Sequence, residues 1–146
     1  MACLLWSCVS AQPLLAIPID NVQRETPVNF EKEILPILQK NCLACHNTSE
    51  ANGDLILESP QEMLKGGDNG PAIVKGKGAE SLLLALASHD DDPAMPPPDN
   101  DVGAKDLTPR ELGLLKLWID QGADGGGLAD VLSPQTWRPL PPGDHP

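Results

Sequence analysis

The run Cys42-Leu43-Ala44-Cys45-His46 sets two thiols three positions apart and an imidazole directly after the second. Thiols at that spacing can add to the two vinyl groups along one edge of a protoporphyrin. The histidine that follows is then held under the ring with its imidazole toward the iron. C-x-x-C alone also serves zinc and dithiol redox sites; the adjacent histidine makes C-x-x-C-H a signature of covalent haem attachment. The rival chemistries need companions. A structural zinc site takes four ligands, commonly a second C-x-x-C or a spaced histidine pair. Here the other cysteines are Cys3 and Cys8, close to the start, and His89 and His145 stand far apart. A thioredoxin-like dithiol calls for a βαβ pattern, and no strand–helix alternation is present. A Cys42–Cys45 disulfide would be a by-product of failed attachment.

With His46 on one side of an iron, the other ligand is Met95, Met63, His89 or none. Met95 sits in Pro93-Ala94-Met95-Pro96-Pro97-Pro98, where prolines on both sides restrict the backbone to stiff, extended conformations. A thioether there can be held over the iron at little further entropic cost, and methionine paired with histidine raises the reduction potential. Met63 falls in an expected helix and reads as a core residue. His89, in Ser88-His89-Asp90-Asp91-Asp92, reads as a solvated loop histidine. No paired carboxylates, nucleophile–base arrangement or phosphate-cradling loop stands out. The expectation is one covalent haem c held by Cys42 and Cys45, with His46 and Met95 on the iron. Its role would be to carry one electron, with no catalytic residues of the chain's own. An open sixth position would instead make a small-ligand-binding or sensor module.

Composition bears on how such a group is held. Aromatic residues make up 3% of 146 positions: one phenylalanine, three tryptophans and no tyrosine. A core of about a hundred residues built on aliphatic side chains alone is marginal, because small domains bury a limited share of their surface. A haem would supply a large apolar body, so it is expected to be part of the fold. Sixteen prolines and thirteen glycines imply much loop. The net charge of −11 disfavours nucleic acid and anionic membrane surfaces, serves solubility, and can steer the protein toward a basic redox partner.

The elements that must position these residues are short. Residues 1–16 read as an export signal: Ala2 to Val9 is an apolar run, and cleavage is expected after Ala11 or Ala16. Its basic n-region is missing, since no Lys or Arg precedes Arg24. Leu5-Trp6-Ser7-Cys8 has a faint lipoprotein pattern, against which the bulky Trp6 argues. No run approaches the roughly 18 to 20 apolar residues of a transmembrane helix. Haem attachment to this motif takes place outside the cytoplasm in bacteria, so an exported, periplasmic protein is expected. After a polar lead-in from Ile17 to Val28, Asn29 can cap a helix running to about Lys40, with Pro36 kinking it. Ser59-Pro60-Gln61-Glu62 has the form of a capping box opening a helix that stops at Gly66-Gly67. A third helix is expected from Ala79 to Ser88, and an acidic, proline-rich loop from His89 to Lys105. Thr108-Pro109-Arg110-Glu111 repeats the capping-box pattern and opens the last helix. Leu112, Leu115, Trp118 and Ile119 form one stripe on it, and Gly122 ends it. Trp118 reads as core packing. Residues 125–146 form a Pro/Gly-rich tail or linker.

Taken together, these residues resemble a known family. Pro36-Ile37-Leu38 precedes C-x-x-C-H; Gly53-Asp54-Leu55-Ile56-Leu57, Gly66-Gly67, Pro71-Ala72-Ile73-Val74 and Glu80-Ser81-Leu82 follow. Met95-Pro96-Pro97 and Leu117-Trp118-Ile119-Asp120-Gln121-Gly122-Ala123 complete the series. Over roughly residues 26 to 124 the chain is similar to the planctomycete-type cytochrome c domain, a branch of the class I cytochromes c. The resemblance implies an all-α fold of about four short helices wrapped around one haem, with terminal helices crossing near Phe30 and Trp118. It also implies His46/Met95 ligation. In that family the domain often heads a longer protein, in some members before β-propeller repeats, and Trp137 to Gly143 looks like a connector into such repeats. The acidic approach to Met95 departs from the family pattern.

Overall fold

The computed structural model describes residues 15–125. The expected cleavage site after Ala11 and nearly all of the expected C-terminal linker lie outside that range. Within it, Leu15 and Ala16 are exposed. Four α-helices occur among the described residues, and no strand: α1 (Leu35–Asn41), α2 (Pro60–Lys65), α3 (Leu82–Ala87) and α4 (Pro109–Asp120). The fold is all-α, as expected.

The first helical stretch changes pitch at its proline. Asn29 Oδ1 accepts from the Lys32 amide at 2.9 Å, and the Asn29 amide donates to Glu33 Oε2 at 2.9 Å, closing the start. Phe30 to Ile34 then form a wide π-helical turn, and α1 begins at Leu35 with Pro36 in its first turn. Pro36 has no N–H, so one unbroken α ladder cannot run from Phe30 to Asn41. The chain places the proline where an N–H would be orphaned anyway and absorbs the mismatch in the turn before it. The expected kink is therefore a change of helix type.

The other helices follow their caps. Ser59 Oγ accepts from the Glu62 amide at 3.3 Å and starts α2, but only this half of the expected box forms. The Glu62 carboxylate lies 3.5 Å from Lys65 Nζ instead. At α4 both halves are present: the Glu111 amide donates to Thr108 Oγ1 at 3.2 Å and the Thr108 amide to Glu111 Oε2 at 2.8 Å. The third helix starts later than its sequence implied. Gly78–Glu80 is a single 3₁₀ turn, Ser81 is extended, and α3 begins at Leu82. The buried Ser81 hydroxyl explains the break: it donates to the Lys77 carbonyl at 2.9 Å and accepts from the Val74 amide at 2.9 Å. A side chain so engaged competes with helix propagation.

The core is aliphatic around one aromatic pair. Phe30 and Trp118 are buried with ring centroids 5.3 Å apart and planes 33° from parallel, joining the first helical stretch to α4. Such a contact contributes about 0.5–1.5 kcal/mol beyond the area it buries. Trp118 Nε1 donates to the Asp124 carbonyl at 3.0 Å, which satisfies the one polar atom of the indole. Ile34, Leu38, Met63, Leu112, Leu115 and Ile119 pack around the pair. The lead-in is attached: Ile17 N–H donates to the Ser88 carbonyl at 2.7 Å and Asp20 N–H to the Pro109 carbonyl at 3.0 Å. It crosses α4 at Gly113, where a Cβ would collide with the Asp20 carbonyl oxygen and meet Val22 Cγ2 at 2.9 Å.

Candidate functional site

α1 ends at Asn41, and the chain coils directly into Cys42. The Cys42 and Leu43 amides both donate to the Leu38 carbonyl, at 2.7 and 2.9 Å, and the Cys45 and His46 amides both donate to Cys42 O, at 3.2 and 3.1 Å. The C-x-x-C-H run is thus one compact turn on the end of a helix, with both sulfurs half-buried and free of any disulfide. The His46 carbonyl accepts from Leu57 N–H at 2.9 Å, and Cys45 O from Asn52 N–H at 3.0 Å, which pins the turn to the segment that follows.

This turn forms one wall of a cleft of about 270 Å³. Cys42, Cys45 and His46 line it together with Leu55, Leu57 and Ala72, with Leu82, Leu83 and Leu86 of α3, and with Met95 and Pro96 of the proline-rich loop. All four residues singled out by sequence therefore meet at one place. Met63 does not: it is fully buried in the core, as expected. His89 is also outside the cleft lining, and it is not the solvated loop residue its acidic neighbours implied. Its side chain is only 10% exposed, with Nε2 3.4 Å from Asp106 Oδ1 in poor hydrogen-bond geometry. The chain turns sharply there at φ 61°, which folds the ring inward.

The electrostatics of the turn are those of a desolvated pocket. Burial, reinforced by the neighbouring Cys45, pushes the Cys42 thiol up to about 12, so it is a neutral thiol across the physiological range. Burial also lowers the His46 imidazole, opposed by the nearby backbone of Leu55 and Asn52, and so favours the neutral ring that has a lone pair to give. Neither backbone group makes a well-formed bond to it: His46 Nδ1 is buried without a hydrogen-bond partner.

Two observations test whether a haem fits. The first is α3, Leu-Leu-Leu-Ala-Leu-Ala, which is apolar all round. Leu84 and Ala87 are buried, while Leu82, Leu83 and Leu86 are only half-buried and line the cleft. A helix apolar on every face needs apolar cover on every face, and the cleft side lacks it. The second is the donor set, two thiols, an imidazole and a thioether lining one cleft, which suits a porphyrin iron. The residues fit the group. Gly67 and Gly70 also line the cleft, and the turn they belong to is tightly closed: Gly66, at φ 75°, could not carry a Cβ without striking the Gly70 carbonyl.

Sequence reasoning passed over Asn41 and Asn100, which also line the cleft. Asn41 is buried, donates from Nδ2 to the Ile37 carbonyl at 3.2 Å and accepts from the Lys105 amide at 3.4 Å. Asn100 follows three prolines, a turn-forming context that could have drawn notice.

Residues 42–99, from Cys42 to just past the Met95 loop, match the family described as Planctomycete cytochrome C. That segment is similar to a cytochrome c, in keeping with the resemblance read from the motifs. No curated protein and no solved structure matches the chain.

Proposed function

We propose that this chain is a mono-haem c-type cytochrome that carries single electrons, alone or as the entry module of a longer protein. The observation that carries the reading is the convergence of Cys42, Cys45, His46 and Met95 on one apolar cleft in a segment that matches a cytochrome family. A bound haem supplies an iron that accepts and returns one electron.

The chain's own residues do the rest. Cys42 and Cys45 would hold the group covalently, each S–H adding across a vinyl double bond with the sulfur on one carbon and the thiol proton on the other. Nothing leaves, and no oxidant is needed. His46 would offer its imidazole lone pair to the iron from the same turn, and Met95 its thioether from the proline-rich loop. Both are neutral donors, so holding the iron would ask the protein for no proton at either atom. The half-buried leucines of α3 exclude water from the cleft. Asp68 in the cleft lining and the exposed Asp90, Asp91 and Asp92, just before Met95 in the chain, favour a basic redox partner. The weak leader and the chemistry of attachment support export to the periplasm. No helix among the described residues is long and apolar enough to cross a membrane.

Protein made in a host competent for cytochrome c maturation tests the reading. Its intact mass after acid–acetone extraction should include one haem. An unmodified chain would remove the basis for the proposal.

A further inference from the structure

The loop that carries Met95 cannot anchor itself. Pro96, Pro97 and Pro98 follow the methionine and offer no backbone N–H among them. Ahead of them, the Met95 amide donates to the Leu86 carbonyl at 3.0 Å. Beyond them, anchoring falls on one side chain. Asn100 Nδ2 donates to the Pro97 carbonyl at 2.7 Å and to the Ala104 carbonyl at 3.1 Å, and Oδ1 accepts from the Ala104 amide at 2.9 Å. The Asn100 amide adds a second bond to the Pro97 carbonyl at 3.1 Å. Both amide hydrogens and the oxygen are thus used on the loop, and the opposite orientation would set an oxygen against two carbonyls. Asn100 lines the cleft together with Met95, Pro96 and Ala104.

We infer that Asn100 is a positioning residue for Met95. By closing 97–104 into one hydrogen-bonded loop, it fixes the path of the proline run and so holds the thioether at the cleft. The strength of the sixth ligand depends on it. The inference rests on Met95 being that ligand.

The test compares haem-loaded wild type with Asn100→Ala, Asn100→Asp and Thr108→Ala. Asn100→Asp keeps the acceptor for the Ala104 amide but loses both donors and faces two carbonyls with a carboxylate. Thr108→Ala removes the α4 cap and leaves the loop alone. Ferric iron in either Asn100 variant should bind added imidazole about tenfold more tightly than in wild type. The weak far-red absorption of a methionine–iron(III) bond should fade in both, and Thr108→Ala should match wild type in both readouts. Asn100 variants that lose thermal stability yet keep the band and the wild-type imidazole affinity would overturn the inference and leave a loop staple only. If neither variant matures, amide exchange at Ala104 in wild type decides. Strong protection supports the assignment, and exchange at the rate of free loop overturns it. A wild-type protein without the far-red band would overturn the Met95 reading itself, and this inference with it.

Discussion

At Met95 two physical requirements coincide: a soft donor for iron and a backbone stiff enough to hold it without further ordering. The flanking prolines supply the second, and Met95 lines the same cleft as Cys42, Cys45 and His46. Met95→Ala should therefore lower the reduction potential and let carbon monoxide bind the ferrous protein, as read by redox titration and optical spectra. An unchanged potential would mean that the thioether is not on the iron. Residue type and short spacing singled out Cys42, Cys45, His46 and Met95, which line one cleft, and a helical position singled out Met63 for the core, where it is buried. His89 was misread for a reason the sequence conceals. Acidic neighbours on both its chain and the adjoining loop say solvent, but its positive φ turns the ring inward against Asp106. Asn100 was passed over because its partners are backbone groups, the Pro97 and Ala104 carbonyls and the Ala104 amide, which leave no mark in a sequence.

The helices owe their ends to caps and their breaks to single side chains. Capping-box and N1-proline patterns placed α2 and α4 well. The late start of α3 was not legible, because it depends on where the Ser81 hydroxyl finds partners in three dimensions. Thr108→Ala should cost α4 about 1 kcal/mol, the usual loss for a Thr cap, measured by denaturant unfolding. Gly113→Ala separates propensity from packing. On a free helix surface alanine would be favoured over glycine by about 1 kcal/mol. Here its Cβ meets the Asp20 carbonyl, so the variant should be less stable than wild type, with faster amide exchange at Asp20. A more stable variant with Asp20 still protected would show that the lead-in yields freely.

Arg24 and Glu33 make a second test at this scale. Arg24 bonds both Glu33 oxygens at 2.7 Å and, with the Asn29 amide, holds that carboxyl down at about 2 against an ordinary 4.5. A depressed carboxyl stabilises the fold above its unfolded value, and that contribution is lost as pH falls from about 4.5 through about 2. The pair is partly solvated, so the effect is modest. Arg24→Ala should flatten the acid limb of the stability profile over that window while leaving its shape above pH 6 alone, roughly where carboxylates are fully ionised.

For the whole molecule, the deficit of aromatic side chains and the uncovered face of α3 point the same way. On the proposed reading, a haem would complete the polypeptide core. If haem binding is also folding, the Cys42→Ala/Cys45→Ala chain should give poorly dispersed amide signals and no cooperative thermal transition. A sharp transition close to that of the holoprotein would show that the aliphatic core and the Phe30–Trp118 pair suffice alone. Helix order was readable from periodicity and caps, and the all-α class from the family resemblance. The cleft was not, since it arises where the attachment turn, α3 and the Met95 loop meet, and these are far apart in sequence.

The central claim is a six-coordinate iron between His46 and Met95 that passes electrons and binds nothing else. Optical spectra of the wild-type protein, ferric and then ferrous under carbon monoxide, test it most directly. The ferric form should show the weak far-red methionine–iron band, and the ferrous spectrum should not change when carbon monoxide is added. A ferric spectrum without the band, together with prompt carbon monoxide uptake by the ferrous protein, would contradict the account and identify a ligand-binding haem instead.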